Sequence, residues 1–421
     1  MRDRWGEREP AFPVYLLAVG LLPFRWLSPI GSFQAHSEWS DLLIAVATVL
    51  WLARRLRRRT LGHAWRRWQL PLGAYLGLAC VSAALVVPGR GGSPKDVVLM
   101  LELALMAVLT ADFASDSWQR RAIARVIVAS ALLTVVLGAV GLILFYAHVP
   151  SGLSGVYGEQ LSPSRVFTRI RAGLQTPPLL ASYCIFASGV TASADAGLSR
   201  RVRIMAQVGL LLLCAATVSR GLIGFVVAMV IRSATRLTPQ RRRIVVTTVT
   251  LAGLAVIAFL AVGRFHVDLH AHTPITYTVP DPGNRREAFA TSLQTLEHHP
   301  LVGIGPGALP GVNAGQPFRA HFTPLNIAAT LGVPALIMFL AMLWLLWRDR
   351  RRLTDLAYWS ALAGMALDGL AQDVDHFRHL WVMFGLVGSN RPGSEEPAQG
   401  HPVAMRPPTT SPTKPEPTPF R

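Results

Sequence analysis

The chain has 421 residues, 51% hydrophobic and only 15% charged, with a mean hydropathy of +0.38, which excludes an ordinary soluble domain of this length. The formal net charge of +18 raises a nucleic-acid interface, so the placement of the basic residues has to decide between that and membrane topology. All three cysteines, Cys80, Cys184 and Cys214, lie in apolar runs, so neither a disulfide framework nor a zinc knuckle is predicted.

In chain order, MRDRWGER precedes an apolar run in the manner of a secretory leader, but no small-residue cleavage site follows. Residues 1–11 are therefore expected to be a cytoplasmic terminus and the run after them a retained span. A spanning helix needs about 20 mostly apolar residues, because hydrocarbon offers no water to satisfy open backbone groups. Apolar runs predict spans near 12–27, 39–53, 70–87, 97–113, 123–147, 177–194, 202–218, 221–233, 244–263, 323–347, 355–371 and 379–388. The expected fold is an all-α integral membrane protein of about twelve transmembrane helices over residues 12–388, with a large extracytoplasmic loop containing short helices.

With the N-terminus inside, 29 of the 41 Lys and Arg residues fall in cytoplasmic segments, chiefly Arg54–Arg67, Arg120–Arg125, Arg200–Arg203, Arg232–Arg243 and Arg348–Arg352. The positive-inside rule thus accounts for most of the charge, both ends are cytoplasmic, and no nucleic-acid partner is required. Residues 389–421 turn to Pro, Thr, Ser and Glu, a composition that cannot bury enough apolar surface to order itself. No internal repeat is evident.

Two outer segments, 148–176 and 264–322, are too long to be simple connections, and loops of that length are usually functional. Within the second, DPGNRREAFATSLQTLEHHP predicts a turn and a helix capped by Asn284, with Glu287 at the third helical position and Pro300 ending it. Phe289, Leu293 and Leu296 form one apolar stripe, suited to the membrane surface or to the bundle. Arg285 and Arg286 open this helix, where the macrodipole already places positive partial charge; an anion, phosphate or diphosphate, would supply the missing compensation. Arg220 is placed at the outer turn of a tight hairpin between two cytoplasmic segments, as a second anion-binding cation or a snorkelling side chain. His321, beside Arg319 at the mouth of an apolar run, is a candidate general base.

Weaker signals surround these. His266, Asp268, His270 and His272 alternate as metal ligands on a strand would, without a partner cluster of recognisable spacing, and no metal or cofactor is predicted. GIGPG at 303–307 lacks a Rossmann context and reads as a turn. Glu102 and Asp368 lie within spans, where a carboxyl is costly. Arg165, Arg169 and Arg171, with Asp373, Asp375, His376 and Arg378 near the last outer turn, are candidates to line a polar cavity.

From about Arg171 to Leu386 the pattern resembles the O-antigen ligase family of membrane glycosyltransferases and its O-antigen polymerase relatives. SRG at 219–221 is similar to the family's Ser-Arg-Gly hairpin, and NRREAFATSLQTLEHHPLVGIGPG at 284–307 to its Arg, aromatic, Pro-Leu-X-Gly-X-Gly segment. HFTPLNIAATLGVPA is similar to its His-Asn, nine residues, Gly signature, with His321 and Gly332 at the matching separation. Phe322 departs from the usual Asn, Ser or Gln, and Ala335 from Gly, Thr or Tyr, which bears on the acceptor and on ligase versus polymerase.

The resemblance implies a metal-independent, inverting transfer of a glycan from an undecaprenyl-diphosphate-linked donor to an acceptor hydroxyl of a glycan, lipid or protein at the outer face of the cytoplasmic membrane. By position, Arg220 and Arg285 would hold the diphosphate and His321 would orient or deprotonate the acceptor. Arg286, Arg319, Arg171 and Arg169 are expected to assist substrate binding. A transporter or flippase of lipid-linked glycans also needs cationic cavities, but it would place polar groups near the midplane in related halves.

Overall fold

The computed structural model describes residues 9–24, 39–58, 66–86, 94–149, 156, 168–234, 282–313, 315–349 and 356–389, with isolated positions between 238 and 251. Outside the described residues lie Arg165, the His266–His272 pattern, the tail from 390, residues 1–8 and nearly all of the span predicted at 244–263.

The described chain is predominantly helical. In order come α1 (Ala11–Gly20), α2 (Trp39–Arg57), α3 (Gln69–Leu85), α4 (Pro94–Phe113), α5 (Ser117–Tyr146), α6 (Pro177–Ala192), α7 (Arg200–Ala216), α8 (Gly221–Ser233) and α9 (Pro282–His298). A two-stranded antiparallel hairpin, β1 (Gly311–Asn313) and β2 (Gln316–Phe318), leads to α10 (Thr323–Leu331), α11 (Val333–Arg348), α12 (Leu356–Asp368) and α13 (Arg378–Gly388).

Local chemistry sets several boundaries. The Asp116 carboxylate accepts from the amides of Trp118 and Gln119 at 2.8 and 2.9 Å and so begins α5. Thr176 caps α6 ahead of Pro177 and Pro178, whose fixed φ and missing N–H suit a first turn.

Among the described residues, only α5, at 30 residues, is both long and apolar enough to cross a bilayer by itself. The helices α1, α8, α12 and α13 run 10 to 13 residues, about 15–20 Å at the α-helical rise. Position in the bundle explains part of this. Every residue of α13 and nearly every residue of α6 is buried, so these apolar helices are sheathed by others. On the outer helices the apolar residues face outward instead: Leu42, Val49 and Leu56 on α2, Val136 and Ile143 on α5, Met205 and Leu212 on α7, and Ile337 and Trp344 on α11. Large exposed apolar surface of this kind marks a face made for lipid or another protein.

Helix directions alternate, which gives the bundle two poles. At one, arginines tie helix ends together: Arg55 to Asp112 at the ends of α2 and α4, Arg120 to Ser389 at the start of α5 and the end of α13, and Arg232 at the end of α8 to Ser188 and Ser360. At the other meet the ends of α7 and α12 and the starts of α6, α8 and α10, with Thr323 bonded to the carbonyl of Gln372, whose side-chain amide reaches the Pro178 carbonyl.

The run predicted as a single span at 323–347 is two helices. Gly332 takes φ +89° between α10 and α11, and Pro334 follows in the first turn of α11. The turn after α9 fills the break. The amides of Ile304 and Gly305 bond the α10 carbonyls of Ala329 and Thr330 at 3.1 and 2.9 Å, and the Val333 amide bonds the Pro300 carbonyl at 2.8 Å. Backbone groups that the break would orphan are thereby satisfied. A Cβ at Gly303 would lie 2.2 Å from the Thr330 backbone, and one at Gly332 would lie 2.1 Å from the Leu301 carbonyl. The turn predicted at GIGPG is therefore the plug of a broken helix.

Candidate functional site

The pole opposite the arginine ties carries the candidate residues, brought in by four segments. The first is the strand-like stretch before α6. Arg169 Nε donates to the Thr217 carbonyl at 3.1 Å, and the Ile170 amide to Ala216 at 3.1 Å, fastening this stretch to the end of α7. The second is the α7–α8 turn itself, where Val218 sits at φ +48° and Arg220 follows, half-buried. Gly221 is required here, because a Cβ would lie 2.7 Å from that of Ala181 on α6. The turn is thus pressed into the bundle, and burial lowers the Arg220 pKa.

The third segment is the start of α9. The helix begins at Pro282, so Asn284 lies inside its first turn and is not the predicted cap. The buried face of α9 is Ala288 and Ser292, with Thr291 accepting the Val312 amide at 2.7 Å and Thr295 donating to the Pro310 carbonyl at 2.8 Å. The apolar stripe turns away from the bundle, with Phe289 42% and Leu293 43% exposed. Arg285 lies between the two faces and is half-buried, whereas Arg286 is exposed. Burial brings the Arg285 pKa down to about 10, assisted by the charges of Arg220 and Arg169 and opposed by Asp373.

The fourth segment joins the residues before α10 to the α12–α13 turn. His321 has φ +51°, and the Phe318 ring meets its imidazole edge-on at 4.9 Å. Burial lowers its pKa to about 4, reinforced by Arg285, Arg220, Arg319 and His376 in that order. Arg319 donates to His376 Nδ1 at 3.1 Å; that lone pair being used, the 3.6 Å approach of the same nitrogen to Asp375 is not a hydrogen bond. Asp373 is buried, which raises its carboxyl to about 7 against Arg319, the Phe322 amide and Arg285. Phe322 packs on Phe289 of α9 with ring centroids 5.9 Å apart.

Arg220, Arg285, Arg319 and His321, with Arg169 through Arg285, therefore share one electrostatic environment: a knot of guanidinium groups around an imidazole that is neutral at pH 7. Positive φ at Ala172, Val218 and His321 places left-handed backbone within three residues of Arg169, Arg220 and Arg319 respectively, and strain of this kind concentrates at functional sites. Arg171, like Arg286, points to solvent. Arg378 is withdrawn into an ion pair with Asp41 at 2.6 Å, and Asp368 is bonded by Gln372. Among the described residues no group of three His, Cys, Asp or Glu side chains is arranged to hold a metal.

Asp96 and Asn326 were not singled out by the sequence, yet both line a cleft beside Arg319. The available signal was Asn326, an amide inside an apolar run. Compared with known proteins, residues 205–340 match a family model described as O-antigen ligase, a stretch from α7 into α11 that includes Arg220, Arg285, Arg286, Arg319 and His321. No curated protein matches the chain.

Proposed function

We propose that this chain, assigned to the O-antigen ligase family by its match over residues 205–340, transfers a glycan from an undecaprenyl-diphosphate-linked donor to an acceptor hydroxyl at the outer face of the cytoplasmic membrane. The reading makes it a multi-pass protein whose arginine-tied pole faces the cytoplasm and whose site faces outward. The outward apolar residues of α2, α5, α7 and α11 support the membrane setting, and the positive-inside rule supports the orientation.

The observation that carries the reading is the convergence of Arg220 and Arg285 on a neutral His321. Guanidinium groups form bidentate, charge-assisted bonds with phosphate oxygens, and a diphosphate gives the crowded cations the countercharge they lack. In the proposed step the acceptor oxygen attacks the anomeric carbon from the face opposite the diphosphate. The carbon–oxygen bond to phosphate breaks, its electron pair leaves with the polyprenyl diphosphate, and His321 takes the hydroxyl proton. Attack from the opposite face inverts the anomeric configuration. Arg220 and Arg285 stabilise the negative charge as it grows on the leaving group, a role often filled by a metal ion. Anion binding also raises the His321 pKa, so donor binding strengthens the base that the acceptor needs.

The test is transfer by the purified protein from a lipid-diphosphate glycan to candidate acceptors, with and without EDTA. Transfer should survive chelation and fall about 10²–10³-fold in Arg220→Ala, Arg285→Ala and His321→Ala. Full activity in all three variants would remove the site assignment.

A further inference from the structure

We infer that α9 docks on the outer leaflet of the bilayer, with Phe289, Leu293 and Leu301 among the acyl chains and Arg286 at the phospholipid phosphates; the inference rests on the membrane setting proposed above. The helix has three sides. Ala288 and Ser292 are buried against the protein, Phe289 and Leu293 form an exposed apolar flank, and Ala290, Gln294, Glu297 and His298 form an exposed flank of different character. A helix bedded on protein along one side, with lipid on the second and water on the third, has this division.

Helix lengths set its depth. α8 runs 13 residues from the site to Arg232 and Ser233, about 20 Å at the α-helical rise. α12, also 13 residues long, ends beside the start of α8, with Asp368 Oδ1 3.2 Å from where a Gly221 Cβ would stand. A hydrocarbon core is about 30 Å thick, so with Arg232 at its cytoplasmic edge the start of α8 stops short of the outer edge. α9 sets out from this level, since the charge of Arg220 acts on Arg285 in its first turn.

Its other end joins the apolar flank of the bundle. Ser82 Oγ of α3 donates to the Val302 carbonyl at 2.5 Å, which fixes the turn after α9 to the outer end of α3. Leu301 in that turn is 69% exposed, Leu85 at the end of α3 is 64% exposed, and Val333 and Ile337 continue the outward apolar surface down α11. The flank of α9 thus prolongs a face already turned to lipid. Arg286 borders this flank, three residues before Phe289, where a cation meets phospholipid phosphates. Arg285, between the buried side and the apolar flank, then meets a polyprenyl diphosphate at the depth where the bilayer already holds it.

The experiment places nitroxide spin labels on the full-length protein in vesicles of phosphatidylethanolamine and phosphatidylglycerol. In a Cys80→Ala background the labelled sites are Leu293→Cys, Leu301→Cys and Gln294→Cys, all exposed positions where a smaller side chain leaves the packing intact. Collisions with oxygen and with a water-soluble nickel chelate, compared at each site, give its depth. The labels at 293 and 301 should lie about 5–10 Å below the phosphates, with an oxygen-to-nickel ratio about 10-fold above that at 294. A label at 293 as open to nickel as the one at 294 places the flank in water and overturns the inference. A label at 293 shielded from both reagents shows the flank covered by protein, a second copy or another part of this chain, and overturns it as well. Loss of transfer activity, or a chain inserted the other way round, leaves these depths unchanged and falls on the transferase reading alone.

Discussion

The amide of Val333 hydrogen-bonds the carbonyl of Pro300 at 2.8 Å, so the end of the outer loop is stitched into the break between α10 and α11. His321 stands one short helix before this break, and α9, carrying Arg285, ends just before Pro300. The plug therefore holds the cation and the imidazole in one frame.

Replacing Gly332 with alanine should be severe. A backbone at φ +89° and ψ 162° is one that essentially only glycine occupies, and the new Cβ would lie 2.1 Å from the Leu301 carbonyl. We expect a loss of more than about 3 kcal/mol in stability, measured as thermal unfolding in detergent, with transfer activity falling alongside it. Wild-type unfolding in Gly332→Ala would mean that the break is not held as described.

The His321 imidazole should titrate near 4 in the empty site and at a higher pH with diphosphate bound, because an anion offsets Arg285, Arg220 and Arg319. Histidine carbon–proton NMR, assigned by difference with His321→Gln, follows both. The sign for catalysis is fixed: a protonated ring cannot accept the acceptor's proton, so transfer declines as pH drops below the donor-bound value. The sign for stability is also fixed. Between the ordinary value of 6.5 and about 4 the unfolded chain binds more protons, so this group costs stability as pH falls through that window. An imidazole that titrates at the same pH with and without pyrophosphate would uncouple it from the diphosphate site.

Orientation is testable by labelling. In a Cys80→Ala background, Glu297→Cys on exposed α9 should react with an impermeant maleimide in intact cells, and Arg58→Cys at the arginine-tied pole only after lysis. The reverse pattern would place the site in the cytoplasm.

Much of the helical layout was legible because apolar runs and their charged flanks leave a direct trace in composition. The two poles were legible for the same reason, since Arg55, Arg120 and Arg232 are charges at helix ends. The break at Gly332 was not. Hydrophobicity is continuous across it, and the turn that satisfies its backbone comes from Leu301–Gly305, far upstream in sequence. The outward turn of Phe289 and Leu293 was left open between membrane and bundle, because the competing stripe of Ala288, Thr291, Ser292 and Thr295 is chosen by hydrogen bonds to a hairpin of low apolar content. The same rotation separates half-buried Arg285 from exposed Arg286, two neighbours that charge alone cannot distinguish. Asn326 was hidden by an apolar run whose pattern gives no hint that a cleft opens beside it.

The most direct test of the central claim is the affinity of purified protein for undecaprenyl diphosphate, compared among wild type, Arg220→Ala, Arg285→Ala and Arg286→Ala. Loss of a charged hydrogen bond predicts binding weakened by about 10-fold or more in Arg220→Ala and Arg285→Ala, with Arg286→Ala close to wild type. Equal affinity in all four proteins would contradict the account.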